Sequence, residues 1–375
     1  MAKELVWVAP FDLSGISQAA RWYVKAIDEY TDLKLKFVER ASYMSYRFPE
    51  LMKEDFNRIL RLQSTEVSTD APIFHEMVIH QYRKIPLGVN IGVALFETEV
   101  LPPSKIGYCN AMDGILVPSD FCFNAFERGG VKPPMKKLPI PINTEVYSGD
   151  VGTYQELQKK AAGRYIFMAA GVMGWRKGLD VLLKAFTSTF TPEDPVVLAL
   201  KIFGTEAYVK TIVEQINAQL KQLSPLRTYS NILAIAKFMN EQEMPALYNT
   251  ADCLVLPTRG EGWGMPLSEA MCLGKPTIAT RWGGQLEFMT DENSYLINVD
   301  SLVTVNDRAL LSVDPSFIGQ KMAEPSKRHL SDLMLHVLNN RDEAKKKGEI
   351  ARKDIISNYS LEVIAGQITQ IVEEL

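Results

Sequence analysis

The densest chemistry-bearing stretch of the chain is LPTRGEGWGMPLSEAMCLGKPTIAT, which carries Glu261 and Glu269 with seven residues between them. Gly260, Gly262 and Gly264 form a turn between an apolar run at 254–256 and a helix that Pro266 opens and Gly274 stops. Glycines let a ligand approach the backbone closely, and the free N–H groups of a helix start, here around Met265, attract an anion such as a phosphate. A carboxylate beside a phosphate cradle would repel it. Glu261 in the turn and Glu269, about one turn into the helix, therefore read as acceptors of hydrogen bonds from hydroxyls, as on a sugar or ribose. A second cluster supplies positive charge. In GVMGWRKGLDVLLKAF, glycines 171, 174 and 178 bend the chain, and Arg176 and Lys177 stand just before an amphipathic helix. Two cations beside a glycine turn suit the two charges of a pyrophosphate, the arginine by bidentate contact.

Such clusters need strand ends to hold them. Residues 251–288 read as strand, loop, helix, strand, the unit from which parallel sheets are built. Further strands are expected at 5–9, 33–38, 71–74, 88–96, 165–170, 196–203, 232–236 and 293–298. Helices are expected at 18–30, 154–162, 243–249, 326–339, 342–357 and 361–375, and residues 301–325 read as irregular. The opening strand, turn and helix suggest a Rossmann-like half, but that turn holds only Gly15, so a dinucleotide G-x-G-x-x-G fingerprint is disfavoured. In open parallel sheets ligands sit past the carboxyl ends of strands, which draws attention to His75, Glu97 and the pair Phe238–Met239. Tyr43, Tyr46 and Arg47 suit either an acceptor-facing loop or surface packing.

At 375 residues the chain exceeds one ordinary core, and two domains are expected, 1–147 and 148–357, followed by a terminal helix at 358–375. The proline-dense segment 130–147 suits the stiffened connector between them. A net charge of −4 argues against a general nucleic-acid binder. Cys109, Cys122, Cys253 and Cys272 lack metal-type spacing and read as buried thiols of a reducing compartment. No apolar run reaches the ~18 residues of a membrane span, so a cytoplasmic protein is expected, with peripheral contact at the inner membrane face compatible with the sequence.

The glutamate pair in its setting, EGWGMPLSEAM followed by GKPTIATRWGG, resembles the signature of retaining glycosyltransferases of family 4. That resemblance implies the GT-B fold: α/β, two Rossmann-like domains whose parallel sheets face a cleft, the first for the acceptor and the second for a nucleotide-sugar donor. It implies that the terminal helix crosses back to the first domain. By the same resemblance Lys177, in its K-G-x-D context, grips the donor diphosphate. Its usual arginine partner falls where this chain has Val172, and Arg176 is assigned in its place. Glu269 would bind the donor ribose, and Glu261 with the backbone of Gly262, Trp263, Gly264 and Met265 would face the donor sugar and its phosphate. Trp263 packs the loop or stacks on a ligand. Phe238–Met239 would hold the nucleobase, and Gly15 is either a ligand-facing loop glycine or a plain turn residue.

Many family members carry His-Asp where this chain has Glu97-Thr98, so Glu97 is the candidate for a polar contact near the reacting sugar, with His75 and His80 in reserve. The implied activity is transfer of a hexose, such as mannose or glucose, from a UDP- or GDP-sugar to a glycan or lipid-linked hydroxyl. No Asp-x-Asp triplet occurs, so no metal and no cofactor are expected. Two rivals stand beside this reading: another nucleotide-sugar enzyme such as an epimerase or phosphorylase, and a catalytically silent transferase-like subunit.

Overall fold

The computed structural model describes residues 3–40, 51–204, 206–223, 229–240 and 242–375, so Tyr43, Tyr46 and Arg47 lie outside the described residues. The chain forms two compact units. The first comprises Met1–Thr144, Asp314–Gln320 and Ile356–Leu375, and the second Glu145–Val313 and Lys321–Ile355.

The first unit is built on a six-stranded parallel sheet in the order Lys34–Arg40, Glu4–Pro10, Ile73–Glu76, Asn90–Val93, Gly114–Val117, Met135–Lys137. Its three inner strands from Ile73–Glu76 onward are buried along their whole length, as expected of a sheet with helices on both faces. Helix Gly15–Tyr30 starts earlier than the apolar period predicts, because Ser14 caps it by accepting the Ser17 N–H at 3.3 Å. It packs against helix Leu361–Glu374, whose buried Ile364, Ala365, Ile368, Ile371 and Val372 recur at helical spacing on one face.

Two expectations in this unit are corrected. Residues 88–96 are not one strand: Gly88 sits at φ +55°, where a Cβ would lie 2.3 Å from the Ala71 carbonyl, and the strand runs only from Asn90 to Val93. His75 is not past a strand end but inside Ile73–Glu76, with Nε2 2.9 Å from Asn90 Oδ1. Burial lowers its pKa, so it is a neutral core histidine.

The second unit carries a six-stranded parallel sheet in the order Tyr295–Ile297, Thr277–Thr280, Cys253–Leu256, Tyr165–Gly171, Val196–Ile202, Ile232–Ile235. In chain order this is 6-5-4-1-2-3, the doubly wound Rossmann order. Connections therefore diverge to opposite sides between Tyr165–Gly171 and Cys253–Leu256, and the carboxyl ends of these two strands open onto a topological switch point. Residues 301–325, expected to be irregular, instead contain part of an antiparallel ribbon, Val299–Thr304 with Lys321–Pro325, and helix Arg308–Val313 between its strands. The first ribbon strand is mostly exposed and carries no alternating apolar pattern, and its partner lies some 20 residues away, so nothing in the local sequence signals the pairing.

All four cysteines are free and buried, and no described helix is long and apolar enough to cross a membrane.

Candidate donor site

At the switch point of the second unit the two chemistry-bearing loops meet. The glycine-bent loop leaves strand Tyr165–Gly171 and enters helix Leu179–Thr189; the glutamate loop leaves Cys253–Leu256 and enters helix Met265–Cys272. Gly178 makes their approach possible. Its φ is +69°, and a Cβ there would stand 1.8 Å from the Pro257 carbonyl oxygen. Three hydrogen bonds stitch the loops: Arg259 N–H to Arg176 O at 2.7 Å, Arg259 Nη1 to Trp175 O at 2.6 Å, and Arg176 Nη1 to Gly260 O at 2.6 Å.

Across this seam Lys177 Nζ lies 2.5 Å from Glu261 Oε1, and Arg176 Nη1 lies 3.5 Å from Oε2. Glu261 is only 6% exposed. Burial alone would raise its pKa, but Lys177 and then Arg176 outweigh burial and hold it below the usual glutamate value, so it is ionised. Both cations thus face one buried carboxylate beside a helix N-terminus. Gly264, at φ +103°, turns the chain into that helix, with Pro266 in its first turn. A third loop backs the turn: Gly284 N–H donates to Glu261 O at 2.7 Å, and a Cβ on Gly284 would stand 1.9 Å from Gly262 O. The sequence marks Gly284 only as part of a plain turn; its role shows only once the third loop is in place.

Glu269 is buried inside helix Met265–Cys272 and faces Tyr248, whose phenol is kept protonated by burial first and by this carboxylate second. Trp263 is 2% exposed, its ring 4.9 Å from that of Phe288, so the side chain packs the loop. Met239 is buried and Phe238 half-buried, just past strand Ile232–Ile235. Val172 is exposed beside Gly171, and a Cβ on Gly171 would touch the Lys177 side chain at 3.5 Å.

The structure thus gathers Arg176, Lys177, Glu261, Gly262, Trp263, Gly264 and Met265 at one place, with Glu269 on the adjoining helix. Gly15 and Glu97 belong to the first unit. Gly15 opens its helix with negative φ, and a Cβ added there would meet no atom within 4 Å, so the fold itself does not demand glycine at this position. Glu97 follows strand Asn90–Val93 and is half-buried. His80 is exposed, 3.3 Å from Lys105 Nζ, and its pKa is lowered by burial of the ring and then by that lysine. Among the described residues no group of three or more His, Cys, Asp or Glu side chains is disposed to hold a metal ion.

Lys201 escapes a reading of the sequence, where its only signal is a lysine inside an apolar strand. It is fully buried in Val196–Ile202, donates to Lys237 O at 2.6 Å and lies 4.0 Å from the centre of the Phe203 ring. It therefore braces the segment leading to Phe238–Met239. Burial lowers its pKa to about 8 from an unfolded value of 10.5. Between these values the unfolded chain holds the proton more tightly, so this residue's contribution to stability rises as pH rises through the window. Relative to Lys201→Met, the unfolding free energy of the parent protein is expected to grow by about 2 kcal/mol from about pH 7.5 to about pH 10. Urea titrations of the two proteins across that range check this, and a flat difference would refute it.

Residues 152–308 match the family model of glycosyl transferases group 1. The matched stretch, less than half of the chain, lies within the second unit, and the likeness to solved structures gives the GT-B fold. Over 92% of its length the chain is 24% identical to uncharacterized protein 356 of Sulfolobus islandicus rod-shaped virus 1, of which the match covers 96%. A shorter stretch, 32% of the chain, is 30% identical to mannosylfructose-phosphate synthase from Agrobacterium fabrum, covering 26% of that enzyme. Among solved structures, Anabaena HepE in complex with UDP and glucose superposes over the whole of both chains, 100% of each, with a TM-score of 0.67 and 14% identity.

Proposed function

We propose that the protein is a glycosyltransferase that moves a hexose from a nucleotide-diphosphate sugar to a glycan or lipid-linked hydroxyl, with retention at the anomeric carbon and without a metal ion. The observation that carries the reading is the convergence of Lys177 and Arg176 on buried Glu261 beside a helix N-terminus at the switch point. Breaking the bond between the sugar and the diphosphate sends its electron pair to a phosphate oxygen. Fixed cations and helix N–H groups lower the cost of that charge. Glu261 then accepts from sugar hydroxyls, Glu269 from the ribose, and the backbone at Phe238–Met239 holds the base. A uridine base is favoured, since the HepE structure was solved with UDP and glucose. Glu97 is assigned to the polar surroundings of the reacting sugar and Gly15 to the donor or acceptor backbone contact. We assign the enzyme to the cytoplasm, peripherally at the inner membrane face when the acceptor is lipid-linked.

The test is thermal unfolding with UDP, GDP, ADP and their sugar conjugates, each with and without EDTA, because a ligand that binds only the folded state raises Tm by mass action. The expected result is a shift of several degrees with one base at about 100-fold excess over Kd, worth about 2.7 kcal/mol. Anomeric retention is then read by NMR of the product. No shift with any nucleotide would favour a silent binding subunit, and a shift that EDTA abolishes would overturn the metal-free reading.

A further inference from the structure

Arg259 is a heavily committed side chain beside the site. It is 2% exposed, and its guanidinium spends every nitrogen. Nε donates to Glu324 Oε2 at 2.7 Å; Nη1 to Trp175 O at 2.6 Å and Asp180 Oδ1 at 2.7 Å; Nη2 to Asp180 Oδ2 at 3.0 Å and Glu324 Oε1 at 2.9 Å. One face of the group lies over the Trp175 ring at 4.4 Å. Its backbone is engaged as well, with N–H donating to Arg176 O at 2.7 Å and O accepting from Ala323 N–H at 2.9 Å. Four segments therefore meet on this residue: the cation loop at 175–176, the first turn of helix Leu179–Thr189, the glutamate loop, and strand Lys321–Pro325.

With all donors used, Arg259 has none left for a ligand. Yet it is two residues from Glu261, and the carbonyl it clasps is two residues from Lys177. A buried ion network of this kind is poor evidence for stability, because apolar residues of similar volume often serve as well. Two carboxylates in fixed orientation do, however, hold a planar fork at one position and angle. We infer that Arg259 is a positioning residue that sets the distance between the Lys177 cation and the Glu261 carboxylate in the donor site. This inference rests on the reading that these two loops receive the donor.

A misplacement near 1 Å costs about 100-fold in rate when reacting groups depend on alignment, while diffuse attraction of cations for phosphate tolerates it. Arg259→Lys keeps the charge and loses the fork. It is expected to lower kcat about 100-fold with the nucleotide-sugar KM changed by less than about threefold. Glu324→Gln, which leaves the Trp175 bond in place, is expected to give a smaller loss of the same kind and serves if the lysine variant does not fold. Hydrogen–deuterium exchange on the same proteins reads position without turnover. The Gly178 amide, bonded to Trp175 O at 3.0 Å, and the Gly284 amide, bonded to Glu261 O, should exchange at least about tenfold faster, while strands Tyr165–Gly171 and Cys253–Leu256 keep their protection. Unchanged loop protection in both folded variants, or a kcat within about threefold of the parent, would overturn the inference. If the parent protein itself neither binds nor turns over a nucleotide-sugar, the donor reading fails, and the exchange data alone decide whether Arg259 clasps the loops.

Discussion

Replacing Glu261 by glutamine is expected to cut kcat by about 1,000-fold and, at the same time, to tighten the binding of free UDP by about tenfold. The two effects have opposite signs because Glu261 has two relations to its surroundings. Its carboxylate neutralises Lys177 at 2.5 Å and Arg176 at 3.5 Å, and so competes with any diphosphate for the same cations. Two unit charges about 4 Å apart interact by roughly 4 kcal/mol at the effective dielectric of a protein surface, so partial relief of that competition reaches a tenfold change easily. On the proposed donor reading, the hydroxyls of the transferring sugar, in contrast, lose an ionised acceptor fixed in place. Loss of one such preorganised group costs about 100- to 1,000-fold in rate. Lys177→Ala provides the complement: UDP binding and turnover should both fall, since the cation itself is gone. Titration calorimetry with UDP and steady-state kinetics on the same preparations distinguish these cases. Weaker UDP binding by Glu261→Gln, or an undiminished kcat, would sink the competition argument.

The second large effect is structural. Gly178→Ala is expected to destabilise the second unit by about 4 kcal/mol or more and to abolish nucleotide binding. A side chain at φ +69° costs about 1 kcal/mol on backbone grounds alone. The larger part is steric, because the new methyl would stand 1.8 Å from a backbone oxygen of Pro257, which follows directly on a sheet strand and cannot swing aside as a flexible side chain would. Gly163 supplies the internal control. It also has positive φ, +78°, but nothing lies within 4 Å of its Cβ position, so Gly163→Ala should cost only about 1 kcal/mol. Urea unfolding of both variants measures the contrast. Equal costs would mean that the loops can separate without penalty and that the seam at the switch point is not tight.

Much of this site is legible in the sequence because its parts are local. The turn glycines, Pro266, the pair Glu261 and Glu269, and the adjacent Arg176 and Lys177 lie on short segments whose chemistry can be read without the fold. Their meeting is inferable because a doubly wound sheet brings its first and fourth strand ends together. Arg259 and Lys201 are not legible for the opposite reason. An arginine in a loop and a lysine in a strand gain meaning only from Asp180, Glu324 and Lys237, which are 79, 65 and 36 residues distant. The ribbon of Val299–Thr304 with Lys321–Pro325 is hidden in the same way. His75 shows a different failure: its position near a strand end resembles that of a catalytic group, but the strand continues through it to Glu76 and buries it against Asn90.

The way the chain divides between its units also fixes an order of events during synthesis. Residues up to Thr144 emerge from the ribosome well before residues 361–374, yet their unit takes its helix Leu361–Glu374 from that later stretch. At about 5–20 residues per second, the intervening stretch of roughly 200 residues takes some 10–40 s to appear. Throughout that interval the apolar side of Gly15–Tyr30 that will meet the last helix has no native cover, while nearly all of the other unit has become available to fold. A nascent chain of this topology must therefore keep helix Gly15–Tyr30 soluble until residues 361–374 are made, and chaperone demand should concentrate on the first unit.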